Sequence, residues 1–297
     1  MAFSKLSGDE QGIILGQLRN TLEPRLVMYF SSANKELRAL LPPAAQQQLR
    51  ADYEEATALC VKVGMRDCKE LREVWAVEWN NKGLSAADLA TLATMGSVLP
   101  ALKWLDLMEH SGSANPDGVS QLAEGLIAGA LPAVTFLYID GMHVGDAGAT
   151  ALAAALDRGA LPRLKSIELL NAAIGDAGLV ALAPALRRRP ALERLCLIRS
   201  PFGDVGLAAL VAPPPPPAAG TPPPPAGGLK KLEVLDLRHT KVSDVGCATL
   251  ATAHDSGALP ALESLLLGGT RASAAAKEAV GAELARSRAA ALPFEEE

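Results

Sequence analysis

Residues 161–186, LPRLKSIELLNAAIGDAGLVALAPAL, contain one complete β-α unit, from which the fold can be inferred. Ile167 and Leu169 are separated by one polar residue, which predicts a short strand with one buried face. A turn follows, and Asp176 is placed to cap the helix that begins there. The predicted helix has one apolar stripe, formed by Leu179, Leu182 and Leu186.

Close copies of this unit recur along the chain at intervals of 28, 32, 30, 28, 40 and 30 residues. The copies share an L-x-x-L-x-L strand pattern, and four of them share a turn of the form Gly/Ser-Asp-x-Gly. The strand cores are Val74/Val77/Trp79, Leu102/Leu105/Leu107, Val134/Leu137/Ile139, Leu164/Ile167/Leu169, Leu192/Leu195/Leu197, Leu232/Leu235/Leu237 and Leu262/Leu265/Leu267.

The pattern and its periods resemble leucine-rich repeats of the long, ribonuclease-inhibitor type. The resemblance implies an α/β fold, a right-handed β-α horseshoe solenoid with a parallel sheet on its concave face. One repeat buries too little apolar surface to offset the entropy of ordering its backbone, so the repeats must stack. We therefore expect helical caps at both ends of the array.

The repeats depart from this family in the turn that follows each strand. Position 9 usually holds an asparagine whose side chain ties neighbouring turns together. We expect the turn backbone to use other partners here, such as threonine hydroxyls or water. The residues at position 9 are Lys82, His110, Met142, Ala172, Ser200, Thr240 and Thr270.

The domain organisation follows from the repeats and from changes in composition. We predict an F-box-like helical segment at 1–42, a helical cap at 43–72, seven repeats at 73–271, and a capping helix with an acidic tail at 272–297. A proline-rich insertion at 212–228 lengthens the fifth period. It is interpreted either as a ligand for proline-binding modules or as a tolerated loop insertion.

The N-terminal segment resembles an F-box in the order of its elements. A helix containing Ile14 and Leu18 is followed by a restart at Pro24 and a further helix, although Ser7 stands where that family usually has proline. The resemblance implies that Ile14, Leu18 and Pro24 dock on the Skp adaptor of a cullin-RING ubiquitin ligase. The alternative is that these helices only cap the first repeat.

Composition argues against several functional classes. With 28 basic and 33 acidic residues the formal net charge is −5, so nucleic acid is not expected as a partner. No apolar run suggests a secretory signal or a membrane span, and a cytoplasmic, alternatively nuclear, protein is expected. The four cysteines are scattered without a metal-ligand spacing, and we expect free thiols.

No catalytic motif emerges from the sequence, so we expect a binding protein with no catalytic residues, no cofactor and no metal. His110, His143 and His239 follow repeat strands and lie along one rim of the predicted array. The outermost two would be roughly 20 Å apart, which is too far to share a metal ion.

The predicted concave face combines exposed aromatic and charged side chains, a composition typical of protein interfaces. Its N-terminal half is acidic, with Glu78 and Glu109 among the carboxylates, and its C-terminal half carries arginines. We predict that it binds a protein partner through Trp104, Asp106, Phe136, Tyr138, Asp140, Glu168, Arg194, Arg199 and Arg238. If the protein is a receptor of the ligase, this partner is the ligase target. If it is a free-standing regulator, such as an inhibitor or GTPase-activating module, the partner is the protein that it controls.

Overall fold

The fold is built on one sheet of seven parallel strands, which are ordered along the sheet as they are along the chain. The computed structural model describes Arg25, Met28, Tyr29 and residues 42–110, 116–212 and 228–291. The strands are β1 (Ala76–Asn80), β2 (Trp104–Met108), β3 (Phe136–Asp140), β4 (Ser166–Leu170), β5 (Arg194–Cys196), β6 (Val234–Asp236) and β7 (Ser264–Leu266).

Helices alternate with the strands, and consecutive helices pack against one another along the array. This arrangement confirms the predicted α/β solenoid. The helices are α1 (Pro43–Val63), α2 (Cys68–Glu73), α3 (Ala86–Met95), α4 (Pro116–Ile127), α5 (Gly145–Asp157), α6 (Asp176–Arg187), α7 (Asp204–Val211), α8 (Asp244–Asp255) and α9 (Ala274–Ala291).

The core lies between the sheet and the helices. Leu105, Leu137 and Ile167 pair across β2, β3 and β4, and each is almost fully buried. Side chains alternate between the two faces of a strand. These three residues, and the residue two positions after each of them, therefore point into the core. The intervening residues form the other, concave face.

Helix α1 covers the N-terminal end of the array and packs against α3. It ends at Gly64, whose φ of 90° allows the left-handed cap that terminates the helix. Its buried stripe includes Leu49, Leu59 and Val63. The spacing of apolar residues in the sequence predicts Tyr53 on the same stripe, but Tyr53 is 37% exposed, because α1 has a helical neighbour along only part of its circumference.

Threonine hydroxyls are partners of the turn backbone in the two C-terminal turns, as predicted. Thr240 Oγ1 donates to the carbonyl oxygen of Leu237 at 2.8 Å, and Thr270 Oγ1 donates to that of Leu267, also at 2.8 Å. Ser200 occupies the same position and is buried, but its hydroxyl has no hydrogen-bond partner. The threonines at the C-terminal end of the array thus satisfy carbonyl groups within their own turns.

Aspartates on the helical side connect neighbouring repeats. Asp176 is the first residue of α6, and its Oδ1 accepts hydrogen bonds from the amides of Gly203 and Gly206, both at 2.8 Å. The prediction that Asp176 caps its own helix is therefore wrong, because its carboxylate points forward and caps α7. Gly203, the N-cap residue of α7, has no side chain that could do so.

The same contact recurs in the adjoining repeats. Asp146 Oδ1 accepts from the amides of Gly175 and Gly178 at 2.7 and 3.0 Å. A Cβ at Gly178 would lie 2.5 Å from Asp146 Oδ1, so the second glycine of the turn makes room for the preceding aspartate. Further along, Asp204 accepts from Ser243 and Asp244 accepts from Ser273. We call Asp146, Asp176, Asp204 and Asp244 the aspartate ladder.

Three sequence-based predictions fall on residues outside the described ranges. Ile14, Leu18 and Pro24 of the F-box-like segment are among them, as are residues 213–227 of the proline-rich insertion and the acidic tail at 292–297. Among the residues that the structure does describe, no helix combines the length and apolar character needed to cross a bilayer.

Candidate partner-binding face

The concave face consists of parallel rows of side chains that run across the sheet. One row contains Ala76, Trp104 and Phe136 on β1, β2 and β3, and continues to Arg194 on β5. The next row contains Glu78, Asp106, Tyr138 and Glu168 on β1 to β4. The strand register thus brings most of the predicted binding residues of the N-terminal half into two adjacent rows.

Three aromatic rings form the centre of this face. The rings of Trp104 and Phe136 stack across β2 and β3, with their centroids 3.5 Å apart and their planes within 12°. The Tyr138 ring is nearly parallel to that of Phe136, with a centroid distance of 6.5 Å. The indole Nε1 of Trp104 is buried and has no hydrogen-bond partner. Aromatic anchors of this kind contribute a large share of the affinity of many protein interfaces.

Asp106 lies beside these rings in an environment that disfavours its charge. Its Oδ1 is buried without a hydrogen-bond partner. Burial, together with the neighbouring carboxylates of Glu78, Asp140 and Glu168, raises the pKa of Asp106 to about 6. At neutral pH the ionised Asp106 carboxylate therefore lowers the stability of the folded protein.

Two carboxylates of the predicted face are less accessible than their strand positions suggested. Asp140 is only 6% exposed, and its Oδ1 accepts from Asn171 Nδ2 at 2.6 Å. Its Oδ2 accepts from the Tyr138 hydroxyl at 3.3 Å. Glu109 is fully buried and accepts from the Leu84 amide at 3.0 Å, so its assignment to the concave surface was wrong. Both acids support the turns at the edge of the face.

The arginines of the C-terminal half are exposed, and two of them pair with carboxylates. Arg238 forms a bidentate pair with the buried Asp236: its Nε donates to Oδ1 at 3.0 Å and its Nη2 donates to Oδ2 at 2.7 Å. Arg194 Nε lies 3.8 Å from Glu168 Oε1. Arg199 is exposed and has a φ of 54°. The predicted division into an acidic and a basic half is thus reproduced, but the basic charges are largely compensated.

Cys196 lies on this face, on β5, as a buried free thiol. Burial, with the carboxylates of Glu168 and Asp236, raises the pKa of the Cys196 thiol to about 12, so it stays protonated. No cluster of three or more histidine, cysteine, aspartate or glutamate side chains in the described ranges could hold a metal ion.

A protein-family model described as "Leucine Rich repeat" matches residues 228–251, which include β6 and the first part of α8. This match lies within one of the structural units that repeat along the sheet. The fold is that of a leucine-rich-repeat solenoid. No curated protein matches the chain. A leucine-rich-repeat solenoid suggests a scaffold for protein interactions, since its repeats create an extended concave surface.

The leucine-rich-repeat solenoid is expected to become more stable at neutral pH when Asp106 is replaced by asparagine. A raised pKa in the folded state means that stability falls as pH rises from about 4 to about 6 and then stays level. Asp106→Asn removes this slope, with a gain on the order of 1 kcal/mol at pH 7.5 after allowance for solvent screening. Urea unfolding of both proteins at pH 4 and pH 7.5 measures the difference.

The matched control for this experiment is Glu54→Gln, which removes a carboxylate from an exposed position of α1. Its free energy of unfolding, relative to the parent protein, should not increase from pH 4 to pH 7.5. An equal gain for Asp106→Asn at both pH values would contradict the assignment of the penalty to ionised Asp106.

Proposed function

We propose that this protein is a scaffold that binds a protein partner on its concave face. The observation that carries the proposal is the aromatic stack of Trp104 and Phe136 beside Asp106, whose carboxylate has no ion-pair partner among the described residues. Half-buried aromatic rings next to uncompensated charge are costly in an isolated protein and favourable in an interface. No catalytic step is part of this proposal.

The sharper form of the proposal is a substrate receptor of a cullin-RING ubiquitin ligase. Residues 1–42 resemble an F-box and would contact the Skp adaptor through Ile14, Leu18 and Pro24. The concave face would then hold the target. Support comes from α1, which already places Leu49, Leu59 and Val63 over the N-terminal end of the core. A cap is thus supplied by residues that follow the F-box-like segment.

The alternative is a free-standing regulator of the ribonuclease-inhibitor-like type, either an inhibitor or a GTPase-activating-like module. In that case the helices of residues 1–42 belong to the cap, and the concave face alone makes the functional contact. The two forms differ in one observable property, which is binding of the adaptor.

We expect purified Skp adaptor to bind the full-length protein and not its Ile14→Asp variant. A charge at this position would oppose burial of the helix against the adaptor, and the loss should be at least about tenfold in affinity. Biolayer interferometry with immobilised adaptor measures the affinity. Circular dichroism establishes that the variant keeps its secondary structure.

The matched control is Val61→Asp, which adds the same charge to an exposed position of α1. It should bind the adaptor as the parent protein does. If the parent protein does not bind the adaptor at all, the free-standing regulator is the correct form. The concave-face proposal does not depend on that result.

A further inference from the structure

Among the described residues, negative charge on the concave face has nearby partners on β3, β4 and β6 but not on β1 and β2: His110 Nε2, for example, lies 4.0 Å from Asp140 Oδ2. Asp236 is paired by Arg238, and Glu168 lies near Arg194. In the described part of the chain, neither Glu78 nor Asp106 has a lysine, arginine or histidine within ion-pair distance. These two carboxylates lie on adjacent strands in register, about 5 Å apart at the backbone. The surface around them therefore favours a cation.

The residue of β1 beside Trp104 is small. Ala76 lies directly opposite Trp104, and its side chain is only a methyl group. One face of the Trp104 indole is covered by Phe136, which stacks on it from the β3 side. On the β1 side the neighbouring side chain is too small to cover the other face. A planar group can enter above Ala76, with the indole at its side and Glu78 and Asp106 in the next row.

We propose that the surface formed by Ala76, Glu78, Trp104 and Asp106 binds an arginine side chain in a basic segment of the partner protein. We call it the arginine site, and it rests on the proposed concave-face function. A guanidinium can stack on an indole and donate hydrogen bonds to carboxylates at the same time. The same cation would lower the energetic penalty of the ionised Asp106 carboxylate.

Arginine fits this site better than lysine does. The guanidinium is planar and weakly hydrated, and its donors can reach two acceptors in one plane. A lysine ammonium is compact and strongly hydrated, so it would pair with one carboxylate and make little use of the indole. An acidic partner segment is disfavoured because Glu78, Asp106 and Glu168 would repel it.

The test is fluorescence anisotropy with the full-length protein and short fluorescein-labelled peptides in low-salt buffer. In the first peptide arginines alternate with Gly-Ser pairs; in three others lysine, glutamate or leucine replaces arginine. We expect the arginine peptide to bind most tightly and its affinity to fall with added salt. The double variant Glu78→Gln/Asp106→Asn should weaken it at least about tenfold, and Trp104→Leu should reduce the preference for arginine over lysine.

The matched control is Glu54→Gln/Glu124→Gln, which removes two carboxylates from exposed positions of α1 and α4. It should leave peptide affinity within about twofold. Equal weakening by both double variants would overturn the arginine site, as would failure of the arginine peptide to bind. If the leucine or glutamate peptide binds instead and Trp104→Leu abolishes that binding, the arginine site is wrong while the concave-face function stands.

Discussion

Replacing Phe202 with alanine is expected to lower the free energy of unfolding by about 3–5 kcal/mol. Phe202 is 0% exposed and is among the largest fully buried side chains. It fills the position that Val144, Ile174 and Val242 occupy in other repeats, so its ring occupies more of the core than any of these. Neighbouring repeats fix the surrounding walls, which limits how far the cavity can collapse. Urea unfolding followed by circular dichroism measures the loss.

Two further variants separate cavity formation from a general effect of mutation in this repeat. Phe202→Leu keeps most of the apolar volume and should cost about 1–1.5 kcal/mol. Val205→Ala lies three residues away at an exposed position of α7 and should change stability by less than about 0.5 kcal/mol. A cost for Phe202→Ala that is no larger than that of Phe202→Leu would contradict the packing described here.

The effect of Phe202→Ala should also appear in the cooperativity of unfolding. In a solenoid each repeat contacts only its neighbours, so a weakened repeat can divide the array into separate folding units. The repeat that contains Phe202 joins the four N-terminal strands to the two that follow it. A transition that broadens or splits in this variant would place the division at that repeat.

The fold could be predicted from the sequence because its determinants are local and repeated. Leu137 and Ile139, with one residue between them, specify which face of β3 is buried, and the same spacing in each copy sets the parallel register. A stacked core is the one arrangement that buries all of these faces. Tyr53 is an exception, since the edge of an apolar stripe is buried only where a neighbouring element covers it.

The candidate face could be predicted only in part. Strand alternation correctly identified which side chains point away from the core, including Trp104 and Phe136. It could not show that Asp140 is enclosed by Tyr138 and Asn171, because that contact depends on distances across two strands. Nor could it show that Asp106 lacks a cation, since ion pairing depends on the rotamers of neighbouring side chains.

The aspartate ladder was missed although the sequence carries a signal for it. The Gly-Asp-x-Gly turn pairs an aspartate with a glycine two residues later, and a single copy reads as an ordinary helix start. Comparison of successive copies would have suggested that the glycine serves the aspartate of the preceding repeat. At Gly206, for example, a Cβ would lie 3.0 Å from Asp176 Oδ1. The Gly-Asp-x-Gly motif thus connects neighbouring repeats and does not act within a single repeat.

Replacing Asp176 with alanine is expected to lower the free energy of unfolding by about 2–4 kcal/mol. The change removes one charged acceptor from two amides, those of the buried Gly203 and Gly206. The start of α7 has no other side-chain cap, so these amides would lose their partner where water has little access. Urea unfolding measures the cost, and hydrogen exchange of the α7 amides shows whether the loss begins there.

Asp176→Asn is the informative companion to this variant. A single oxygen, Oδ1, accepts both hydrogen bonds, so an asparagine carbonyl can preserve their geometry while the charge is lost. We expect it to recover more than half of the stability that Asp176→Ala loses. If asparagine is as destabilising as alanine, the negative charge at the helix terminus matters more than the hydrogen bonds. If neither variant changes stability or the protection of α7, the repeats are held together by apolar packing alone and the aspartate ladder has no energetic role.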